Sequence, residues 1–187
     1  MAVISPALIE DMRRISELLR AGSFRSAHEQ LETIVAAHPD FAEALRLLGG
    51  AKQALGDRSG AETLLRRALE LDPNWTPTLA TLGELLLATG RGGEAEPLLQ
   101  RALAGSPPYP RAALLLSRYY NDSARPADAL ALAAPLCLSG RADAELAAQH
   151  IKALAALGRQ AEAIATYRSL AAARPDNPDL AHALASA

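Results

Sequence analysis

Apolar residues recur along this chain at helical spacing, and the whole pattern repeats every 34 residues. In the second stretch they fall at Leu45, Leu48, Ala51 and Leu55, which is the spacing of an amphipathic α-helix. Five such blocks follow one another without insertion or deletion: 8–41, 42–75, 76–109, 110–143 and 144–177. A fixed period of this length predicts a solenoid of stacked helical units.

Small and helix-ending residues occupy fixed positions within each block. Position 20 is alanine in all five blocks: Ala27, Ala61, Ala95, Ala129 and Ala163. Position 15 is glycine except at Ala124, and position 32 is proline except at Arg141. Glycine ends a helix cheaply in a left-handed conformation, and proline cannot continue one. Each block therefore predicts two helices, with alanine where their backbones approach closely.

Three residues break the local rules for helices. Pro135 lies well inside the second helix of the fourth block, and we expect that helix to kink or to end near Ala134. Gly49 and Gly50 lie in the middle of a helix, at a cost of roughly 1 kcal/mol each relative to alanine. Close helix packing explains Gly49, whereas Gly50 falls on a different face.

The recurring pattern resembles the tetratricopeptide repeat (TPR) family over residues 8–177, although glycine at position 8 survives only as Gly49 and Gly83. The resemblance implies an all-α fold, a right-handed α-α superhelix of five helix–turn–helix repeats. Residues 1–7 would then form a lead-in. Residues 178–187 would form a partial capping helix starting near Asp179, in a chain that we expect to continue beyond Ala187.

Composition excludes several classes of function. A net charge of −2 argues against a nucleic-acid or anionic-membrane surface, since both need clustered basic residues. The N-terminus does not read as a secretory signal, and no apolar run is long enough to cross a membrane. A cytoplasmic protein is the simplest interpretation. The alanine content and the excess of arginine over lysine suggest a GC-rich bacterial genome.

The sequence shows no catalytic, metal-binding or cofactor-binding pattern, so we expect a protein that is not an enzyme and has no cofactor. The four histidines form no paired motif, and His150 lies at a helix-packing position. Cys137, the single cysteine, lies in an apolar run and is interpreted as an inert thiol. Trp75 lies between two blocks, where we expect it to pack under the loop.

The resemblance implies that the first helices of the repeats line a concave groove. The groove residues that we expect to bind a peptide are Met12, Arg46, Glu84, Leu87, Arg111, Leu114, Arg118, Asn121, Glu145 and Lys152. Leu87 and Leu114 are expected to be partly exposed there as apolar anchors beside arginines. The alternative is that Arg118 with Glu84, and Lys152 with Glu145, only neutralise one another on a solvated face. The carboxylate clamp of chaperone-binding TPR domains is absent, and so is the asparagine ladder of O-GlcNAc transferase.

These observations favour a non-catalytic scaffold that binds a peptide or helix of a protein partner in its groove. Two alternatives stay open. The chain could be the N-terminal module of a larger bacterial enzyme, of a sulfotransferase, hydroxylase or glycosyltransferase type. It could also be a self-assembly module that associates through its repeat ends. The sequence does not name the partner, the pathway or the oligomeric state.

Overall fold

The structure is a computed structural model that describes residues 5–105, 109–139 and 142–173. These ranges contain no strand and form ten α-helices: α1 (Pro6–Arg20), α2 (Phe24–Ala37), α3 (Ala42–Ala54), α4 (Arg58–Leu71), α5 (Thr76–Ala88), α6 (Gly92–Ala104), α7 (Pro110–Asp122), α8 (Pro126–Leu138), α9 (Ala144–Ala156) and α10 (Gln160–Ala173). The all-α fold class predicted from the sequence is confirmed.

The helices keep the phase of the sequence blocks. The first helices α3, α5, α7 and α9 each begin at position 1 of a block, and the second helices α2, α4, α6, α8 and α10 each begin at position 17. Trp75 and Tyr109 directly precede α5 and α7. The 34-residue period is therefore the period of the helix pairs.

The turn inside each block requires a left-handed residue. Four blocks supply glycine with φ near +75° or +91°, at Gly22, Gly56, Gly90 and Gly158. Ala124 replaces glycine in the fourth block and keeps the same conformation, with φ at +56°. A Cβ atom is strained in that region, so the turn after α7 carries strain that the other turns lack.

Small residues set the distance between the two helices of a block. The alanines at position 20 are essentially fully buried. A Cβ atom at Gly49 would lie 2.9 Å from Leu65 Cγ, and one at Gly83 would lie 2.7 Å from Leu99 Cγ. Glycine at position 8 thus admits the leucine of the partner helix, while nothing lies within 4 Å of a Cβ at Gly50.

Helix α8 continues past Pro135 to Leu138, so the prediction that it ends near Ala134 is wrong. The Ser139 N–H donates to the Pro135 carbonyl over 3.1 Å, which closes the last turn. Leu136 and Cys137 pack against the core of this region and hold the turn in place. The predicted kink stays a prediction.

The chain forms two compact units, residues 1–102 and 103–187. The core of the first unit includes Ile15, Leu31 and Leu48, and that of the second includes Leu146 and Ile151. Of the helices that the structure describes, none combines the length and the apolar character needed to cross a membrane. The short helix predicted from Asp179 lies outside the described residues.

Candidate functional site

In the first unit, helix α1 and the start of α3 border an open pocket of about 320 Å³. Its lining residues are Ile9, Met12, Arg13, Ser16, Arg20, Phe41 and Glu43. Ile9 is 52% exposed, an unusual exposure for an isoleucine, whereas Met12 is buried beneath it. Ile9, Met12, Ser16 and Arg20 of α1 fall three or four positions apart, so they share one helix face, and Arg13 adjoins Met12 at its edge. Sequence reasoning placed Ile9, Met12, Ser16, Arg20 and Glu43 on the concave face, and the structure brings all five together.

The rim of this pocket carries both signs of charge. The Arg13 guanidinium is held by Glu10, with 3.0 Å between Nη1 and Oε2. Arg20 is the last residue of α1 and Glu43 lies in the first turn of α3. Neither Arg20 nor Glu43 forms an ion pair with another described residue. The pocket thus offers one cation and one anion beside an apolar floor.

Further along the first unit, Arg46 of α3 lies over the ring of Trp75, with its guanidinium carbon 5.2 Å from the ring centroid. A cation–π contact of this kind orients the arginine. The packing of Trp75 under the loop stays a prediction. Leu87 on α5 is half-buried, as is Glu84. The expected partial exposure of Leu87 is confirmed.

In the second unit, α7 and α9 present polar side chains to one another. Arg118 pairs with Glu145 at 3.6 Å, and Lys152 pairs with Asp122 at 2.8 Å. The alternative of a solvated face paired Lys152 with Glu145, whereas the lysine contacts Asp122 at the end of α7. All four side chains are at least half exposed, so each pair contributes at most about 1 kcal/mol.

Besides these ion pairs, the side-chain amide of Asn121 on α7 forms hydrogen bonds with Gln149 on α9. Asn121 Nδ2 donates to the Gln149 carbonyl over 3.0 Å and to Gln149 Oε1 over 3.1 Å. Arg111 lies exposed near the start of α7. The predicted residues Arg111, Arg118, Asn121, Glu145 and Lys152 therefore form a polar surface on α7 and α9.

Leu114 is not part of that surface, and the expectation that it is partly exposed is wrong. It is 5% exposed and packs with Ala113, Ala133 and Leu146. Met12, the other apolar groove residue at position 5, is only 7% exposed. A first helix packs against its own second helix and against the next repeat, and position 5 faces that packing.

Cys137 and His150 are the reactive side chains with shifted pKa values among the described residues. Burial, with a smaller contribution from Asp143, raises the pKa of the Cys137 thiol to about 11. A thiol with so high a pKa is a poor nucleophile. Burial also lowers the pKa of His150, which is only 6% exposed, and Arg159 lowers it further. In the part of the chain that the structure describes, no group of three His, Cys, Asp or Glu residues could hold a metal.

Sequence reasoning missed one recurring pair. Position 16 is arginine and position 19 is acidic in three successive blocks, and the two form ion pairs of 2.7 Å: Arg91 with Glu94, Arg125 with Asp128 and Arg159 with Glu162. The spacing i, i+3 at a helix start was a visible signal.

The in-phase helix pairs define a helical-repeat solenoid. A family model described as tetratricopeptide repeat matches residues 18–86. This match and the in-phase helix pairs support a tetratricopeptide repeat protein, as the sequence pattern indicated. A comparison with curated protein sequences returns no match.

Solved structures share the fold. TTC0263, a TPR protein of Thermus thermophilus, is 22% identical with a TM-score of 0.73, covering 95% of this chain and 96% of that chain. MamA (41-end) from Desulfovibrio magneticus RS-1 is 19% identical with a TM-score of 0.75, covering 94% and 99%. YrrB, described as a TPR protein with an unusual peptide-binding site, is 16% identical with a TM-score of 0.69, covering 92% and 89%.

Proposed function

We propose that this protein is an interaction scaffold that binds a segment of a partner protein in the pocket between α1 and α3. The observation that carries the proposal is the apolar floor of Met12 and Phe41 beneath an exposed Ile9, with Arg20 and Glu43 at the rim. Pockets that combine an apolar floor with a few placed polar groups are typical binding sites. The fitting ligand is a peptide with one bulky apolar side chain and charged neighbours.

The charges of the rim set the polarity of that peptide. An acidic group of the ligand would lie toward Arg20 and a basic group toward Glu43, because neither forms an ion pair with a residue that the structure describes. Burial of one isoleucine-sized side chain contributes roughly 1.5–3 kcal/mol. The apolar anchor therefore supplies most of the affinity, and the rim supplies the orientation of the peptide.

The fold gives this proposal general support. YrrB carries a peptide-binding site by its own description, although at 16% identity the likeness extends to the fold alone. The half-buried Leu87 and the oriented Arg46 would continue the same surface along the first unit. The exposed charges of α7 and α9 would serve as a separate polar contact surface in the second unit.

A peptide selection tests the proposal. A library of random peptides displayed on phage is selected against the full chain, and the recovered peptides are titrated by fluorescence anisotropy. Ile9→Asp should weaken binding by at least about tenfold, because an aspartate cannot replace the apolar contact. Leu138→Asp is the matched control, since Leu138 is 86% exposed and lies in the second unit.

The charge preference is tested with the same peptides. Arg20→Glu should shift selection from acidic to basic residues on one side of the apolar anchor. Equal binding by wild type and by folded Ile9→Asp, with folding checked by circular dichroism, would place the binding surface elsewhere.

A second candidate function is a repeat module attached to a catalytic domain. A Thermobaculum terrenum O-GlcNAc transferase structure is 32% identical over 71% of this chain, with a TM-score of 0.64, and this chain covers 26% of it. However, the asparagine ladder expected at position 6 is replaced by Arg13, Leu47, Thr81, Leu115 and Gln149. The full reading frame of the gene discriminates, because a catalytic domain in frame after Ala187 would support the module.

A further inference from the structure

A second and more apolar cleft lies among α2, α3 and α4 of the first unit. It encloses about 500 Å³, and its lining residues are Glu32, Val35, Ala36, Leu48, Lys52, Gly60, Thr63 and Leu64. None of them lines the pocket between α1 and α3. Val35 and Leu64 are only partly buried against the core, above a buried Leu48. Apolar side chains are thus open to a ligand on a second surface.

In the next repeat, charged side chains occupy the corresponding place. One repeat further on, Glu32 and Gly60 correspond to Arg66 and Glu94, and these two form an ion pair of 3.5 Å across the second helices. Arg91 extends this ion-pair network, because it contacts both Glu62 at 2.8 Å and Glu94 at 2.7 Å. Charged side chains therefore bridge α4 and α6, whereas Gly60 has no side chain with which to bridge α2 and α4.

The N-cap of α4, Asp57, leaves no room for a side chain at Gly60. The backbone N–H of Gly60 donates to Asp57 Oδ1 over 2.9 Å, and a Cβ atom at Gly60 would overlap the Asp57 carboxylate. A larger residue at position 60 would therefore displace the cap. Thr63 and Leu64 complete an uncharged wall on the α4 side.

The α2 side of the cleft is acidic. Glu32 Oε1 lies 3.3 Å from the His28 imidazole, and Glu32 forms no ion pair with a lysine or arginine among the described residues. Glu29 lies exposed one turn earlier and forms no ion pair with any residue that the structure describes. Lys52, the cation of the lining, is engaged by Asp57 at 3.1 Å. The cleft therefore joins an apolar floor to a carboxylate-bearing wall.

Two cations of α4 are engaged by other carboxylates. Arg66 is held by Glu62 at 2.6 Å, and Arg67 is held by Asp40 and Glu70. Of the two charged lining residues, Lys52 is paired with Asp57, so Glu32 is the group of the lining that a basic ligand would meet. A complementary ligand carries basic residues beside apolar ones.

We propose that this cleft docks a basic amphipathic helix of a partner protein, with its leucine-like face on Val35, Leu48 and Leu64 and its lysines or arginines on Glu29 and Glu32. Helix-in-groove recognition uses apolar anchors at helical spacing, and charge complementarity sets orientation. This second site does not depend on the pocket between α1 and α3. One array could accordingly hold two partners at once.

Two matched synthetic helices test the inference. Each has about 18 residues, long enough for helix formation in water, with a leucine stripe at i, i+3, i+4 and i+7 and either lysine or glutamate elsewhere. The full chain should bind the lysine peptide at least about tenfold more tightly than the glutamate peptide in fluorescence anisotropy titrations. NMR shift changes should fall on α2 and α4.

Charge-matched variants separate this docking from general attraction between a basic peptide and an acidic protein. Glu32→Lys should weaken the lysine peptide by at least about fivefold, whereas Glu17→Lys, the same change on exposed α1, should not. Val35→Asp should also abolish binding, with circular dichroism as the folding check, while Leu138→Asp, at an exposed residue of the second unit, should leave it unchanged. Equal effects of Glu32→Lys and Glu17→Lys, shift changes confined to α1 and the start of α3 around Glu43, or no preference between the peptides would overturn the inference.

Discussion

Two adjacent glycines of α3 offer a direct test of how the repeat packs. Gly49 faces the second helix of its block, and Gly50 faces open space. The same change, glycine to alanine, should therefore have opposite effects at neighbouring positions. We expect Gly50→Ala to stabilise the first unit and Gly49→Ala to destabilise it.

The magnitudes follow from the space around each position. A Cβ atom at Gly50 meets nothing within 4 Å, so alanine gains its helix propensity of about 1 kcal/mol. A Cβ atom at Gly49 would lie 2.9 Å from Leu65 Cγ and 3.3 Å from the Ala61 carbonyl oxygen. Leu65 is fully buried, and overpacking of this kind costs about 1–3 kcal/mol. The two variants should differ in unfolding free energy by about 1–3 kcal/mol once the shared propensity gain is removed.

Urea unfolding monitored by tryptophan fluorescence measures this difference. Trp75 is the single tryptophan, and its ring is in contact with Arg46 of α3, so its emission reports on the helix that carries both changes. Circular dichroism at the same urea concentrations shows whether the second unit unfolds in the same transition. A shift of the midpoint without a change of slope identifies a stability effect.

The result that would refute this reasoning is a gain of stability in Gly49→Ala equal to that in Gly50→Ala. Leu65 would then move without cost, and position 8 would not set the distance between the helices. A loss of stability in Gly50→Ala would equally contradict the open space seen at that position.

Three further outcomes are expected. Ala124→Gly should raise the unfolding free energy by about 1 kcal/mol, measured by urea unfolding, because glycine removes the strain of a Cβ atom at φ +56°; unchanged or lower stability would contradict it. His150 has a lowered pKa through burial, so the unfolded chain takes up its proton first and stability should fall as the pH drops below about 6.5. His150→Gln should lose less stability than wild type between about pH 7.5 and 5.5, and an equal loss would assign the effect to other groups. Leu114→Asp should lower the thermal midpoint sharply in circular dichroism because it buries a carboxylate, whereas Leu87→Asp should lower it only slightly. An unchanged midpoint in Leu114→Asp would show that Leu114 is exposed.

Much of the fold could be predicted from the sequence because repeat proteins are built from local contacts. The 34-residue period located every described helix start from α2 to α10, since the glycine, alanine and proline positions that end and pack the helices recur with it. The mid-helix pair Gly49 and Gly50 was likewise assigned to two faces from the helical period alone. Ala124 and Pro135 show the limit. The period marks them as exceptions, but neighbouring side chains decide whether the backbone tolerates them.

Which surface is open was decided only by tertiary structure. The periodic position that a residue occupies does not say how deeply it is buried, because burial depends on the side chains of the adjacent repeat. Leu87 and Leu114 looked alike as apolar anchors, yet one is half exposed and the other packs against Leu146. The cleft beside Gly60 was likewise not predicted from the sequence, since its lining comes from three helices, α2, α3 and α4, whose mutual packing the period does not give. The sequence determined the architecture, and the contacts between repeats determined which side chains stay exposed.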